Sequence, residues 1–419
     1  MTIETIALIH PPHPDSTEDC LDPPLGLAYV ASAIRRAHPN DIEVKIIDLS
    51  GTTEDDWELP YADLYGLTVY APTMDVSMKI IRKCNELNPS AVTVVGGAHP
   101  TAVPDCFRGV VDHVAIGRGE GPILQIIDGN AEFHADATYT NDFFQTPSFD
   151  LLDLSRYKRT IGGRKSLPVL TTRGCPYKCA FCGLALEHSN GILFQNPESL
   201  VQQIRHYIDA HGITAFGFQD DIFTMNKTRL RRILDLIKPL DIRFRCHGRA
   251  GMDDEETYAW LADAGCIQVA WGIESGSQRI LDMMNKRVTV QDSRNVIAWA
   301  KKYGIDSRAF FIIGFPGETA ESINETKQFI ESADPDQYFA SSFVPYPGTD
   351  VWNNPSKYGV TDFDTDFSRY YQVNEAGFGG MTIDTIWTSA AQMRDIERDF
   401  RSWLRNRVMR GYVLEYEKK

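Results

Sequence analysis

Three cysteines stand close together in the segment TTRGCPYKCAFCGL. Cys175, Cys179 and Cys182 follow CxxxCxxC spacing, and Gly174 and Gly183 beside them favour a loop. Thiolates are the ligands of iron–sulfur clusters, which normally bind four cysteines. A loop with three cysteines therefore either uses a distant fourth cysteine or leaves one iron open to another molecule.

A zinc site, or three unrelated buried cysteines, is the plainer interpretation of the same segment. Structural zinc prefers four ligands in paired knuckles, and neither a second CxxC pair nor a nearby histidine pair follows in the sequence. The chain has 8 cysteines in 419 residues. Because three of them cluster, metal ligation is favoured over disulfide bonding.

The sequence before residue 130 alternates between strand-like and helix-like segments. The strand-like segments include ETIALIH, VKIIDLS, DLYGLTVYA and AVTVVGGAHP, and the helix-like ones are PLGLAYVASAIRRA and MDVSMKIIRKCNELNP. This alternation predicts a Rossmann-like, doubly wound α/β domain with a parallel sheet. The segment between Asp48 and Gly66 is too short for a full helix, so we expect a turn there.

Six further strand-like segments predict a parallel α/β barrel, complete or partial. They are SLPVLTTRG, ITAFGFQDD, IRFRCHGRA, IQVAWGIES, DSRAFFIIGFP and DQYFASSFVPYPG. The predicted domains are residues 1–135 (doubly wound), 136–165 (linker), 166–360 (barrel) and 361–419 (a small helical region). Polar residues at the carboxyl ends of the barrel strands are the candidates for catalysis, since barrel active sites form there.

The formal net charge of -15 at pH 7 argues against a polyanionic partner such as tRNA or DNA. No apolar segment reaches bilayer length, and the first residues, MTIETIALIHPPHP, do not resemble an export signal. We therefore expect a cytoplasmic protein that acts on a small molecule, without a nucleic acid or membrane partner.

The cysteine segment closely resembles that of the radical S-adenosylmethionine (SAM) superfamily. The resemblance implies that Cys175, Cys179 and Cys182 hold a [4Fe-4S] cluster, with SAM bound at the open iron through its amino and carboxylate groups. Reductive cleavage of SAM then gives a 5′-deoxyadenosyl radical, with electrons from a donor of flavodoxin or ferredoxin type. The resemblance also implies that Phe181 leans on the adenine, although Phe181 is equally a candidate for core packing.

Later segments resemble the branch of this superfamily that has an N-terminal cobalamin-binding domain, and the segment WGIESGSQRILDMMNKRVTVQD is the most specific of them. The resemblance implies that Glu274 faces the SAM ribose or the substrate. Gln219, Asp220 and Arg249 also end strands at the cofactor side, and Arg249 suits the SAM carboxylate because a guanidinium binds carboxylates bidentately. His247 is a candidate proton donor or acceptor.

Each of these residues also has an ordinary structural interpretation. Glu274 has the position of an acid at a helix N-terminus, which the helix dipole favours. Arg249 is about as suited to an ion pair with Asp220 or Asp253. A single histidine such as His247 is more often structural.

In the N-terminal domain, VVGGAHPTAVPD and IGRGEG match the same branch, so the resemblance covers residues 1 to about 355. It implies that cobalamin binds near Gly96, Gly97, His99 and Glu120, with the two glycines allowing close approach of the backbone. The DxHxxG signature is absent. The alternative is a packed Rossmann-like turn without cobalamin.

The predicted function is cobalamin-dependent C-methylation of a small molecule of natural-product type, as in antibiotic biosynthesis. The alternative is a cobalamin-independent radical dehydration, oxidation, rearrangement or epimerisation of a sugar-like substrate. A tRNA methylthiotransferase would need further cluster cysteines and a basic tail, and a non-enzymatic scaffold would leave the cysteine triad unexplained.

Overall fold

A computed structural model of the chain describes residues 3–13, 20–136, 144–184, 191–364, 366–370 and 383–407. The chain forms two compact units. The amino-terminal unit comprises Met1–Lys158, Leu186–Asn190 and Asp366–Tyr370, and the barrel unit comprises Arg159–Ala185, Gly191–Thr365 and Tyr371–Lys419. Each unit is described separately below.

The amino-terminal unit contains a six-stranded parallel sheet in the order β2-β1-β3-β4-β5-β6. Its strands are β1 (Thr5–His10), β2 (Glu43–Asp48), β3 (Leu64–Thr68), β4 (Val92–Gly96), β5 (His113–Ala115) and β6 (His134–Ala135), and its helices are α1 (Leu25–Ala37), α2 (Met74–Leu87), α3 (Ala98–Ala102) and α4 (Glu120–Ile127). The order reverses at β1 and β3, and ligands of doubly wound sheets bind at such a switch point.

The connection from β2 to β3 contains a single 3-10 turn, Glu54–Asp56, where a helix would normally lie. Asp56 stabilises this turn by accepting a hydrogen bond of 3.0 Å from the amide of Thr53. Trp57 and Leu59 then pack against the core of the sheet. The expected absence of a full helix is therefore confirmed.

The barrel unit contains a seven-stranded sheet in the order β15-β14-β13-β12-β11-β8-β7. Its strands are β7 (Thr160–Ile161), β8 (Arg164–Val169), β11 (Ala215–Phe218), β12 (Arg243–Gly248), β13 (Cys266–Glu274), β14 (Asp306–Ile313) and β15 (Gln337–Ser342), and two antiparallel pairs join β9 (Thr172–Arg173) to β10 (Leu193–Phe194) and β16 (Val360–Phe363) to β17 (Ile383–Thr385). Six strands are parallel and β7 is antiparallel. Because β7 and β15 do not pair, the barrel is partial, and the predicted α/β fold class is confirmed.

The helices of the barrel unit begin at residues suited to cap them. The helices are α5 (Pro197–His211), α6 (Lys227–Ile237), α7 (Glu255–Asp263), α8 (Gln278–Met283), α9 (Val290–Lys302), α10 (Ala320–Ala333), α11 (Asp350–Asn353) and α12 (Ala390–Arg407). The side chains of Asn196, Asn226, Asp254, Thr289 and Thr319 accept hydrogen bonds from first-turn amides of α5, α6, α7, α9 and α10. Each such cap is worth about 1 kcal/mol. Among the described residues, no helix is both long and apolar enough to span a bilayer.

Candidate active site

The cysteine loop begins where β8 ends, and a buried carboxylate fixes its first residues. Asp220 accepts hydrogen bonds from the Thr171 amide (2.5 Å), the Thr171 hydroxyl (2.5 Å) and the Thr172 amide (3.0 Å). Arg229 donates to the Thr171 carbonyl at 2.7 Å. Burial raises the pKa of Asp220, and the hydrogen bonds from Thr171 oppose that shift.

The predicted contact of Asp220 with a cofactor stays a prediction, and its observed contacts are with the chain that leads into the cysteine loop. Its side chain is fully buried, and both oxygens bond to the chain that leads into the cysteine loop. It therefore acts as a brace for this loop. Gln219, the preceding residue, is half-buried, and its amide donates to the Val169 carbonyl at 2.8 Å.

The other side of the cysteine loop docks on the segment after α8. The Asn285 side-chain amide donates to the Lys178 carbonyl at 2.7 Å, and the Ala180 amide donates to the Met284 carbonyl at 2.8 Å. Asn285 has a positive φ of 51°, a left-handed conformation that Asn tolerates better than most residues. The loop is thus held from two sides, by the Asp220 carboxylate and by Met284 and Asn285 after α8.

Arg249 lies beside the cysteines. Its guanidinium is 3.9 Å from the Cys179 sulfur, stacks 3.6 Å from the ring centre of Tyr177 and donates a hydrogen bond to the Lys286 carbonyl. The alternative ion pairs are not formed, since the Asp220 oxygens bond to the strand end and Asp253 accepts from Tyr258 at 3.0 Å. Arg249 therefore supplies positive charge next to a thiol.

Glu274 forms a buried ion pair that the sequence did not reveal. The Lys286 Nζ lies 2.6 Å from the Glu274 Oε1, and both side chains are 8% exposed. Glu274 has a φ of 66°, which follows a β-bulge after Gly272. A side chain on Gly272 would place its Cβ 2.1 Å from the same Oε1. The glycine is required because the carboxylate folds back over it.

Phe181 lies against this ion pair, with its ring centre 5.6 Å from the Lys286 Nζ. Whether Phe181 also contacts an adenine stays a prediction. Only the polar run NKR after the apolar α8 pattern could have pointed to Lys286, and such a run more often indicates a solvated turn. Its carboxylate partner Glu274 becomes evident only from the fold.

The three thiols suit a cluster better than a single ion. Burial raises the pKa of Cys175, and it raises that of Cys182 to about 12; the thiols also act on one another electrostatically. Within the described ranges, no three His, Cys, Asp or Glu side chains converge as a single metal ion requires. In an iron–sulfur cluster each cysteine binds a different iron, and three cysteines in one loop fit that group.

His247 projects from β12 on the face of the sheet that carries Gln219. Burial, together with Arg245 and Arg308, lowers the pKa of His247 to about 4. The imidazole is therefore neutral near pH 7. Both predicted roles, proton donor and proton acceptor, pass through a protonated ring that this environment disfavours, and both stay predictions.

The carboxyl edge of the amino-terminal sheet is built mainly from backbone. Gly97 has a φ of 104°, and a Cβ there would lie 3.0 Å from both the Thr68 hydroxyl and the Val69 carbonyl oxygen. Gly96 differs, because its missing side chain faces Ala115 at an ordinary 3.4 Å. Only Gly97 is thus required as glycine.

His99 is the polar side chain at this edge that best suits a ligand. It is 3% exposed, neither ring nitrogen has a hydrogen-bond partner among the described residues, and burial lowers its pKa to about 4. Its ring contacts Phe107 and Phe367, with centres 6.2 and 4.7 Å away. A buried polar group without a partner costs free energy, so a ligand that supplies one, such as cobalamin, fits here. Glu120 is buried in the first turn of α4.

Comparisons with known proteins find one family for the barrel unit and another for the amino-terminal unit. Residues 169–330 match the Radical SAM superfamily, and residues 22–127 match the B12 binding domain. The chain is 31% identical to an uncharacterised methyltransferase of Pyrococcus horikoshii, over 84% of this chain and 83% of that protein. It is 25% identical to the anaerobic magnesium-protoporphyrin IX monomethyl ester cyclase of Rubrivivax gelatinosus, over 82% and 68%.

Among solved structures, the fold is similar to that of the radical S-adenosylmethionine methyltransferase TsrM from Kitasatospora setae with cobalamin and a [4Fe-4S] cluster bound. The TM-score is 0.74 at 17% identity, and the match covers 100% of this chain and 93% of that one. At this identity the likeness shows the fold.

Proposed function

Since the chain belongs to the branch of the radical SAM superfamily that carries an N-terminal B12 binding domain, we propose that it methylates a carbon atom of a small molecule, using SAM, a [4Fe-4S] cluster and cobalamin. Natural-product biosynthesis is the setting we infer for the substrate. When bound, the cluster supplies the electron that splits SAM, and cobalamin carries the methyl group.

The observation that carries this proposal is the way the barrel unit holds its cysteine loop. Asp220 braces the start of the loop and the segment after α8 holds its middle. Arg249 places a guanidinium 3.9 Å from the Cys179 sulfur, where it offsets thiolate charge. We assign Cys175, Cys179 and Cys182 as the cluster ligands on this basis.

The remaining residues have roles around this loop. The Glu274–Lys286 ion pair holds the Lys286 side chain beside the Phe181 ring, and these side chains together orient a bound nucleoside. In the amino-terminal unit, Gly97 leaves room for close approach and His99 offers a ring nitrogen to the cobalamin. An external electron donor of flavodoxin or ferredoxin type completes the proposal.

Anaerobic reconstitution with iron, sulfide and hydroxocobalamin, followed by incubation with reduced flavodoxin as the electron donor and with SAM that is deuterated in its methyl group, tests the proposal. We expect both 5′-deoxyadenosine and S-adenosylhomocysteine, because the methylation consumes SAM in two ways. Cys179→Ala should lose the visible cluster absorbance and both products. Cys106→Ser, at an exposed cysteine, is the matched control and should keep them.

A variant Cys179→Ala that still forms 5′-deoxyadenosine would contradict the cluster assignment. Formation of 5′-deoxyadenosine without S-adenosylhomocysteine, and without bound cobalamin, would support a second candidate, a radical dehydration, oxidation, rearrangement or epimerisation of a sugar-like substrate.

A further inference from the structure

Two arginines lie on the inner face of the barrel sheet, together with Asp306 at the amino end of β14, although the chain as a whole carries a net charge of -15. Phe244 and Cys246 of β12 are buried on the outer face, so the alternate residues Arg245 and His247, both half-buried, face inward. Strand pairing places His247, Ala270 and Arg308 side by side across β12, β13 and β14. Two arginines therefore project from nearby positions of one face.

Arg308 stacks on aromatic rings. Its guanidinium carbon lies 4.3 Å from the ring centre of Phe339 and 5.3 Å from that of Phe310. A stacked guanidinium keeps its N–H groups in its own plane, where they match the two oxygens of a carboxylate or a phosphate. The aromatic support also limits the rotamers of Arg308, which lowers the entropy lost on binding.

Small residues leave room around both arginines. Gly217 pairs with Arg245 across β11 and β12, and a Cβ on Gly217 would be 3.5 Å from the Arg245 Nε. Ala270 lies between His247 and Arg308, and Gly272 pairs with Phe310. Ala270 thus leaves room beside Arg308, whereas Gln268 pairs with Arg245 and the Glu274 carboxylate occupies the space over Gly272.

The electrostatics of His247 support the convergence of the two side chains. Both Arg245 and Arg308 lower the pKa of this imidazole, so both guanidinium groups lie within electrostatic range of one ring. His247 stays neutral near pH 7, so the positive charge of this group of three side chains comes from Arg245 and Arg308.

We propose that Arg245 and Arg308 bind an anionic group of the substrate, a carboxylate or a phosphate, and that the enzyme therefore acts on an anionic small molecule. This inference rests on the proposed function, because it names the substrate class of the same barrel. The two arginines, on strands separated only by β13, hold the anion, and the neutral His247 lies at the same level of the sheet as Arg308 and nearer the carboxyl edge than Arg245.

Arginine modification in the reconstituted holoenzyme tests this inference. Phenylglyoxal, a small dicarbonyl reagent, modifies accessible arginines, and peptide mass spectrometry measures the rate at each position. With SAM at saturation, we expect Arg245 and Arg308 to react and to be protected about tenfold or more by inorganic phosphate or by acetate. Protection by phosphate alone indicates a phosphate-type substrate, and equal protection by both indicates a carboxylate.

Arg243 is the internal control, because it lies on the same strand and face but at the amino end, where its side chain passes Gly162 and Gly265. Neither anion should protect it. In Arg308→Gln, phosphate should protect Arg245 at a concentration about tenfold higher, as expected for the loss of one charge-assisted hydrogen bond. Arg243→Gln should leave that concentration unchanged.

Three results would overturn the inference. The first is that phenylglyoxal reaches neither arginine, because a substrate of similar size would then be excluded. The second is that neither anion slows the reaction. The third is full protection by SAM alone, which assigns the arginines to the SAM carboxylate. S-adenosylhomocysteine and 5′-deoxyadenosine formation, measured in the same preparation, reports separately on the proposed function.

Discussion

The carboxyl edges of the two parallel sheets are built in different ways. In the barrel unit, buried charged side chains hold the edge, as in the Asp220 brace and the Glu274–Lys286 pair. In the amino-terminal unit, the turn that follows β4 is a left-handed glycine turn at Gly97 with a buried histidine, His99.

The difference concerns what each edge leaves for a ligand. Buried charges persist only when they are paired, and the Asp220 and Glu274 carboxylates of the barrel edge already have partners, which suits the precise placement of a charged cluster. The ring nitrogens of His99 have no partner in the described part of the chain. The amino-terminal edge therefore gains more from a ligand that supplies a hydrogen bond. The cysteine-loop side of the barrel edge depends on paired side chains, and the turn after β4 depends on backbone shape.

The largest expected effect is at the glycine turn. Gly97→Ala adds a Cβ at 3.0 Å from Thr68 and Val69 in a left-handed conformation, so the turn must move. We expect loss of cobalamin binding, measured by the visible absorbance that stays with the protein after gel filtration. The barrel edge should be unaffected, with the cluster absorbance retained.

Two alanine variants serve as controls for Gly97→Ala. Gly109→Ala has a similar positive φ of 78° with open space around it, so it carries the backbone strain without the crowding. Gly96→Ala meets only Ala115 at 3.4 Å. Both should retain cobalamin. If Gly97→Ala folds and binds cobalamin normally, the edge does not depend on backbone shape.

The same contrast explains what the sequence could predict. The cysteine spacing and the alternation of segments predicted the loop and both sheets, since these patterns are local. The partner of Glu274 could not be predicted, because Lys286 reaches it only through a bulge in β13 and left-handed turns at Asn285 and Arg287. The contact of His99 with Phe367 was also inaccessible, because these residues are far apart in the sequence.

The second effect is on the barrel edge. Lys286→Met leaves the Glu274 carboxylate buried without its partner, which should lower the free energy of unfolding by about 3–5 kcal/mol. Urea denaturation measures this. Lys302→Met removes an exposed pair with Glu255, whose side chains are 60% and 43% exposed, and should cost less than about 1 kcal/mol.

The double variant Glu274→Gln/Lys286→Met refines the second prediction. It removes both charges, so it should recover part of the stability that Lys286→Met loses. A double variant as unstable as the single one would show that packing of the lysine stem, rather than charge pairing, holds this edge. The comparison between the two edges would then lose its electrostatic basis.

The last prediction concerns the pH dependence of the free energy of unfolding. Glu318 at the barrel edge and His99 at the amino-terminal edge should contribute to it with opposite signs. Burial raises the pKa of Glu318, which follows β14, from 4.5 to about 8, so the folded state binds more protons and stability falls as pH rises through this range. Burial lowers the pKa of His99 from 6.5 to about 4, so stability falls as pH drops from 6.5, by up to about 3 kcal/mol.

Neutral variants separate these two contributions. Glu318→Gln should be stabilising relative to the parent above pH 8 and closer to neutral at pH 5, and His99→Gln should remove the loss of stability below pH 6.5. Urea denaturation at each pH measures the difference between variant and parent, which cancels the titration of all other groups. Burial favours the neutral form of both Glu318 and His99 in the folded protein. If the stability differences for the two variants changed with pH in the same direction, one of these groups would be charged in the native state.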